Sequence, residues 1–295
     1  MFTGLSAFPL TPLNNDAVDE AAFIGLIQRL VVAGADSITA LGSTGSYAYL
    51  TAAERARVVE LAVEQAGETP VFAGIGALRT SHVLAHAEAA QQAGAQALLL
   101  APVSYQTLTD DEVFCLFRAV TREASVPVVV YDNPGTTHFS FSTELYGRIA
   151  ELAGIASIKI PPVPHDIDGA RQRIRDVRAV LPDDVTVGVS GDPTAATGLI
   201  AGADIWYSVI AGILPEPALR ITRAVQQGQT DRAQEESEGL TPLWELFRKR
   251  GSLRVAAAIA EQLNLAPQSC LPLPIRGLDE AERQKVDAAL KSLVW

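Results

Sequence analysis

The stretch "IASIKI" at residues 155–160 decides the fold, because it belongs to a series of eight short apolar runs that recur along the chain. The other seven are "GLSAFPL" (4–10), "DSITAL" (36–41), "PVFAGIG" (70–76), "QALLLAPV" (96–103), "PVVVYDN" (127–133), "DVTVGVSG" (184–191) and "DIWYSVIAG" (204–212). Near-continuous hydrophobic strands of this kind are buried on both faces, as they are in a parallel sheet. We therefore interpret each run as a buried β-strand.

Amphipathic patterns that are typical of helices lie between these runs. In "DEAAFIGLIQRLVVAG", Phe23, Ile27 and Leu30 fall on one helical face. In "TAAERARVVELAVEQAG", Thr51 precedes Glu54 at the spacing of a capping box, which marks the start of a helix. Eight strands that alternate with helices, most of them about 30 residues apart, predict an α/β fold, the (β/α)8 or TIM barrel.

A doubly wound open sheet is the alternative fold for such an alternation. It often has a glycine-rich turn after its first strand, whereas "TPLNNDAVD" follows the first run here and contains no glycine. Beyond the eighth strand, three more helical patterns follow, "QTDRAQEESEGLTPLWELFRK", "GSLRVAAAIAEQLN" and "LDEAERQKVDAALKSLVW". We therefore expect the barrel at residues 1–225 and a C-terminal helical extension, packed on the barrel, at residues 226–295.

Composition excludes several classes of function. The chain has 295 residues, 48% of them hydrophobic, and a net charge of −11, which argues against nonspecific binding to nucleic acid or anionic membranes. Its two cysteines fit neither a disulfide framework nor a metal site, and His82 and His86 lack a third ligand, so we expect no metal and no cofactor. The chain has no signal-peptide pattern and no apolar run of 18 residues, which predicts a cytoplasmic protein.

The lysine inside "IASIKI" is unusual for this chain. Of four lysines, Lys249, Lys285 and Lys291 lie in charged stretches, and only Lys159 lies between isoleucines. A desolvated lysine can lose its proton and act as a nucleophile, which an arginine cannot do. The alternative interpretation is a strand-end lysine whose ammonium group reaches solvent.

Other polar groups follow neighbouring strands, at the barrel end where reactive groups project. Tyr131 ends the fifth run 28 residues before Lys159, one βα unit earlier, so the two side chains are predicted at corresponding heights on adjacent strands. A phenol beside an amine suits imine chemistry, in which the amine attacks a keto carbon and a hydroxyl moves protons. Tyr105 follows the fourth run, and Ser190 and Gly191 follow the seventh.

The turn "GSTGSY" after the second run is a candidate anion site. Gly42 and Gly45 bracket the hydroxyls of Ser43 and Thr44, so backbone N–H groups and side-chain oxygens can converge on a small anion. No Gly-Lys-Ser/Thr follows, so the turn is not a nucleotide phosphate loop. An ordinary glycine turn is the alternative interpretation.

Taken together, "GSTG", "SY", "YDNP" and "IKI" in this order and spacing resemble the dihydrodipicolinate synthase/N-acetylneuraminate lyase superfamily, over nearly the whole chain. The resemblance implies a class I aldolase or lyase, with Lys159 forming a Schiff base with pyruvate or a related 2-oxo acid. It implies that Tyr131 relays protons and that Ser43 and Thr44 bind the keto-acid carboxylate. It also implies a homo-oligomer, a dimer of dimers, in which Tyr105 reaches a neighbouring subunit, although that segment is one residue longer here.

Three departures from the family pattern concern the second substrate, the acceptor aldehyde. Ser46 replaces the glutamate of the family loop, and Thr136 stands where family synthases carry the arginine that grips the carboxylate of aspartate semialdehyde. After the lysine, residues 160–162 are the apolar "IPP". The pyruvate half of the site is intact, so we expect an aldehyde other than aspartate semialdehyde, for example one of sugar-acid origin.

Four functions remain open on the sequence. They are a pyruvate aldolase, 4-hydroxy-tetrahydrodipicolinate synthase proper, a 2-oxo-acid-binding protein without turnover, and an unrelated barrel enzyme with a phosphate site. A binding protein would be favoured by loss of Lys159 or Tyr131, and neither is lost. His138 and His165 follow the fifth and sixth runs and are further candidates for the mouth of the barrel.

Overall fold

The computed structural model describes residues 1–293 and confirms the predicted barrel. All eight apolar runs form strands, each hydrogen-bonded to its neighbours, and the sheet closes on itself. The strands are β1 (Gly4–Ala7), β2 (Ser37–Ala40), β3 (Val71–Gly74), β4 (Ala97–Leu100), β5 (Val128–Tyr131), β6 (Ile155–Ile160), β7 (Thr186–Val189) and β8 (Ile205–Ser208). A short hairpin, Leu13–Asn14 with Ala17–Val18, follows β1.

The register of the barrel brings the predicted reactive residues to one level. Strand β5 pairs with β6 in parallel, and Tyr131 lies opposite Lys159. On the other side of β6, Lys159 lies opposite Gly188 of β7. Because parallel strands all run the same way, these residues lie towards the carboxyl end of the barrel, where the active sites of such folds are found.

Helices cover the outside of the barrel between the strands. They are α1 (Glu20–Ala33), α2 (Ala52–Ala66), α3 (Thr80–Gln92), α4 (Asp110–Glu123), α5 (Pro134–Thr137), α6 (Thr143–Ala150), α7 (Ile167–Arg178), α8 (Ala195–Ile200) and α9 (Pro215–Gln226). The predicted capping box starts α2, since Thr51 N donates to the Glu54 carboxylate at 2.8 Å and Glu54 N donates to Thr51 Oγ1 at 3.3 Å. Such a cap contributes about 1 kcal/mol.

Four further helices follow the barrel. They are α10 (Thr230–Gly239), α11 (Thr241–Arg250), α12 (Ser252–Gln262) and α13 (Glu280–Ser292). Helix α10 packs against α8 and α9, and α11 contacts the turn after β7 at Asp192–Thr194. The first helical pattern of the sequence therefore forms two helices, because the chain turns between Gly239 and Thr241. None of the helices within residues 1–293 has the length and apolar character needed to cross a membrane.

The interior of the barrel is a packed apolar core. Phe8 and Phe72 are buried there with Tyr131 and Tyr207, and the rings of Phe8 and Tyr207 meet edge to face with centroids 6.0 Å apart. A second and larger core lies between the strands and the surrounding helices. A polar side chain on the inner face of a strand is therefore surrounded by hydrocarbon, which removes it from water.

Candidate active site

Lys159 lies at the carboxyl end of β6 and is 3% exposed. Its Nζ lies 3.9 Å from the ring centroid of Phe8 and 4.0 Å from that of Tyr131. It forms no ion pair with any residue of the described chain 1–293. Burial lowers the pKa of Lys159 from its ordinary value of 10.5 to about 7, while the charge of Asp192 acts in the opposite direction. A large fraction of the amine is therefore neutral, and nucleophilic, at neutral pH.

Tyr131 places a phenol beside this amine. Its oxygen lies 3.2 Å from Ser43 Oγ, and Asn133 Nδ2 donates a hydrogen bond to it at 2.8 Å. Burial raises the pKa of Tyr131, and the hydrogen bonds to Ser43 and Asn133 oppose that shift. Because the net shift is upward, the phenol keeps its proton at neutral pH and can donate it to a leaving oxygen.

The residues after β5 hold the phenol in place. Asp132 N donates to the carbonyl of Lys159 at 3.1 Å, which ties this loop to β6. The hydroxyl of Tyr146, on α6, donates to the Asp132 carboxylate. Burial raises the pKa of Asp132 to about 6, and the bond from Tyr146 opposes the rise. The loop is thereby anchored to both the sheet and the outer helices.

The turn after β2 has the form expected of an anion-binding loop. Gly42 is required because a Cβ atom there would lie 2.4 Å from the Phe8 ring. The backbone N–H groups of Thr44 and Gly45 have no hydrogen-bond partner within residues 1–293, so they are available to a ligand. Ser46, which replaces the family glutamate, is buried in a left-handed conformation (φ 54°), and its Oγ has no partner in the described chain.

The loop after β7 closes the opposite wall of the site. Ser190 donates its hydroxyl to the Ile160 carbonyl at 2.7 Å. Gly191 adopts a φ of +79°, and a Cβ atom there would meet the Pro162 ring at 2.4 Å. Both the positive φ and the close contact require glycine at this position. The stiff "IPP" segment therefore packs directly on the loop that borders Lys159.

Asp192 is a buried carboxylate in this loop. It accepts hydrogen bonds from Trp206 Nε1 at 3.0 Å, Val209 N at 3.2 Å and Ile210 N at 2.7 Å. Burial raises its pKa, and these donors oppose the rise. Its negative charge is thus directed into the protein framework.

A cavity of about 370 Å³ opens above Lys159 at the carboxyl end of the barrel. Among the candidate residues from the sequence, it brings together Ser43, Tyr131, Lys159, Ser190 and Gly191. These five come from the ends of β2, β5, β6 and β7. The structure therefore brings these five residues together at one end of the barrel.

The remaining candidates, apart from His165, do not line this cavity. Gly42, Thr44 and Gly45 are buried in the same turn as Ser43. Thr136 is exposed on α5, where its hydroxyl donates to the Asn133 carbonyl at 3.3 Å. Tyr105 is 90% exposed, on the loop between β4 and α4. The structure thus places no charged or polar contact from Thr136 in the cavity.

One side of the cavity, formed by the C-terminal helices, was not predicted from the sequence. Trp244, Phe247 and Arg248 of α11, with Ser252 of α12, line it. The sequence shows only a charged run, "FRKRG", and no pattern that says where the helix packs. Of the two histidines considered, His165 lines the cavity.

Within residues 1–293 no group of three or more His, Cys, Asp or Glu side chains could hold a metal ion. The site instead combines a buried lysine of lowered pKa, a phenol and a loop with free N–H groups at the mouth of a (β/α)8 barrel. That combination is typical of a lyase of the class I aldolase type.

Comparison with known proteins agrees with this class. The profile of the dihydrodipicolinate synthetase family matches residues 1–293. The chain is 32% identical over 293 residues to 4-hydroxy-tetrahydrodipicolinate synthase of Hyphomonas neptunium, covering 98% of each chain. The protein therefore belongs to the dihydrodipicolinate synthetase family.

Solved structures show the same relationship. Dihydrodipicolinate synthase from Agrobacterium tumefaciens is 46% identical and superposes with a TM-score of 0.95, covering 99% of this chain and 98% of that one. The chloride-inhibited dihydrodipicolinate synthase from Acinetobacter baumannii, complexed with pyruvate, is 25% identical with a TM-score of 0.88, covering 99% of both chains.

Proposed function

We propose that this enzyme forms a Schiff base between Lys159 and pyruvate, or a related 2-oxo acid, and joins it to or cleaves it from an aldehyde. The observation that carries the proposal is the amine of Lys159, whose pKa is lowered to about 7 beside the Tyr131 phenol at the floor of a cavity. The pyruvate complex of the relative from Acinetobacter baumannii supports the choice of keto acid.

The residues present can perform each proton transfer that imine formation needs. The neutral amine attacks the keto carbon to form a C–N bond, and the oxygen takes a proton from the Tyr131 phenol. The phenolate takes a proton from the new ammonium nitrogen, and a second proton passes from the phenol to the hydroxyl, which leaves as water when the C–O bond breaks. Ser43, 3.2 Å from the phenol, can exchange protons with it. The phenolate that remains takes a proton from the carbon next to the iminium, which gives the enamine that attacks the aldehyde.

The keto-acid carboxylate fits the turn after β2. The unpaired N–H groups of Thr44 and Gly45 offer donors to an anion, and Ser43 adds a hydroxyl. Gly42 brings the turn close to Phe8 and so close to the lysine. We infer that this loop orients the keto acid while Lys159 binds it covalently.

4-Hydroxy-tetrahydrodipicolinate synthase is the second candidate, and the names of the curated relatives favour it. Against it stands Thr136, an exposed threonine outside the cavity at the position of the family arginine. Turnover of pyruvate with aspartate semialdehyde, compared with a panel of other aldehydes, decides between the two. A higher kcat/KM for aspartate semialdehyde than for every other aldehyde establishes the synthase.

Reductive trapping tests the Schiff base. With borohydride and pyruvate, we expect one reduced adduct per chain, mapped by mass spectrometry to the peptide that contains Lys159. The exposed amines of Lys249 and Lys291 serve as internal controls, because they compete only if the reaction is nonspecific. An adduct on those residues, or none with any 2-oxo acid, contradicts the proposal.

The rate of trapping should depend on pH in a defined way. Only the neutral amine attacks, so the rate rises as pH increases and levels off above a pKa of about 7. Between pH 6 and pH 8 the neutral fraction increases about tenfold. Stopped-flow or quenched trapping with cyanoborohydride measures this profile. A rate that keeps rising steeply to pH 10 shows an unperturbed lysine.

We also propose a homo-oligomer, a dimer of dimers, in the cytoplasm. Support comes from large apolar side chains left on the surface: Tyr49, Leu78 and Tyr105 are 52%, 65% and 90% exposed. Side chains of this kind are typical of protein interfaces. Analytical ultracentrifugation should show a tetramer at assay concentrations, and Tyr105→Ser should shift it towards smaller species. An active wild-type monomer contradicts the assembly.

A further inference from the structure

The mouth of the cavity has a charge balance unlike that of the chain. The whole protein has 34 acidic residues and 23 lysines and arginines, yet the cavity is lined by Lys159, Arg248 and a single carboxylate, Asp192. That carboxylate accepts three hydrogen bonds from the framework. The lining of the cavity is therefore more basic than the protein as a whole, which favours an anionic ligand.

Arg248 is a cation at the mouth of the cavity, and no residue of the described chain pairs with it. Its neighbours on the last turn of α11 are paired, Lys249 with Glu245 and Arg250 with Glu282. Arg248 forms no ion pair or hydrogen bond with residues 1–293, and its side chain is exposed where it lines the cavity. Its five N–H donors are thus available to a ligand.

The helix that carries Arg248 is held firmly in place. Trp244 and Phe247 are buried and pack edge to face, with ring centroids 5.7 Å apart. Trp244 Nε1 donates to the Ser237 carbonyl of α10 at 2.9 Å. The backbone of Arg248 is therefore fixed, which limits the positions that its guanidinium can take at the mouth of the cavity. The side chain can still change conformation to contact a substrate.

We propose that Arg248 binds a carboxylate at the end of the substrate remote from the imine, so that the acceptor is an aldehyde acid. This inference rests on the proposed Schiff-base function. The planar guanidinium matches a carboxylate through two parallel hydrogen bonds, and His165 adds a further polar group at the mouth. The anion contact that Thr136 cannot provide is thereby supplied from the C-terminal helical extension.

Two matched aldehydes and two matched variants test the assignment. Tartronate semialdehyde and glyceraldehyde have the same length and the same 2-hydroxyl, and differ in a terminal carboxylate against a hydroxymethyl group. With pyruvate saturating, Arg248→Gln should lower kcat/KM for tartronate semialdehyde by about 10- to 100-fold, mainly through KM, and for glyceraldehyde by less than about threefold. Lys249→Gln, which removes the same charge one residue away and outside the cavity, should change neither.

Other outcomes overturn the assignment. One is an equal loss of kcat/KM for both aldehydes, or no loss at all, in Arg248→Gln. Another is a wild type without a preference for tartronate semialdehyde, including one that turns over neither aldehyde. A third is a preference of the wild type for glyceraldehyde 3-phosphate. Trapping of pyruvate on Lys159 separates these results from failure of the proposed function. If trapping is normal in wild type and Arg248→Gln while the preference is absent, only the acceptor assignment is wrong.

Discussion

We expect Lys159→Met to abolish turnover with every pair of 2-oxo acid and aldehyde, with a loss on the order of 10⁴-fold or more, the scale found when a covalent nucleophile is removed. Methionine is close to lysine in length and suits the apolar surroundings of Phe8 and Tyr131. The variant should fold, and it should unfold at the same temperature as the wild type or higher. The reason is that burial of Lys159 lowers its pKa, so its ammonium form costs stability below the ordinary pKa of 10.5.

Lys159→Arg separates covalent chemistry from charge. Arginine restores a cation at the same position, but the guanidinium does not lose its proton and cannot form the imine. It should be as inactive as the methionine variant, and neither should give a reduced pyruvate adduct. Lys249→Met, on the exposed end of α11, is the control for loss of a lysine. Activity above about one-hundredth of wild type in either Lys159 variant argues against a Schiff base.

The sequence was sufficient to predict the barrel and the position of Tyr131 beside Lys159, because both depend on strand periodicity. The bounds of β6 coincide with "IASIKI", and the spacing from Tyr131 to Lys159 gives adjacent strands. Each βα unit returns the chain to the same end of the barrel, so the carboxyl ends of all the strands lie together. Local sequence patterns are therefore enough to predict that these two residues are neighbours.

Contacts between distant parts of the chain could not be predicted in the same way. Phe8 reaches Lys159 because closure of the barrel pairs β1 with β8 and directs the ring into the interior, a consequence of register. Arg248 reaches the cavity because α11 packs on the turn after β7. The amphipathic pattern of α11 shows that one face is buried, but it does not show which surface buries it.

The sequence shows that position 136 carries no arginine, but it does not show whether another residue binds a carboxylate in its place. Thr136 stands there instead, and the structure leaves it exposed and outside the cavity. Arg248 could not be connected with the site from the sequence, because a helix that follows the barrel is related to the site only through tertiary packing.

Tyr131→Phe should slow turnover by about 10²- to 10⁴-fold, the range for loss of a general acid–base group. The substitution removes the oxygen that lies 3.2 Å from Ser43 Oγ and accepts the 2.8 Å bond from Asn133. It keeps the ring whose centroid lies 4.0 Å from Lys159 Nζ, so the amine stays desolvated. Trapping of pyruvate should therefore survive better than turnover, since the nucleophile remains while the proton donor is lost.

Tyr207→Phe provides the matched control. Its ring also faces Lys159, with the centroid 5.7 Å from Nζ, but its hydroxyl is buried against Ser157 Oγ at 2.8 Å. Loss of that bond should lower the free energy of unfolding by about 1 kcal/mol and leave turnover within about tenfold of wild type. Steady-state kinetics, trapping and thermal unfolding on the two variants separate a chemical role from a structural one. Equal activity of Tyr131→Phe and wild type removes the phenol from the mechanism and transfers the proton relay to another hydroxyl of the cavity, such as that of Ser43.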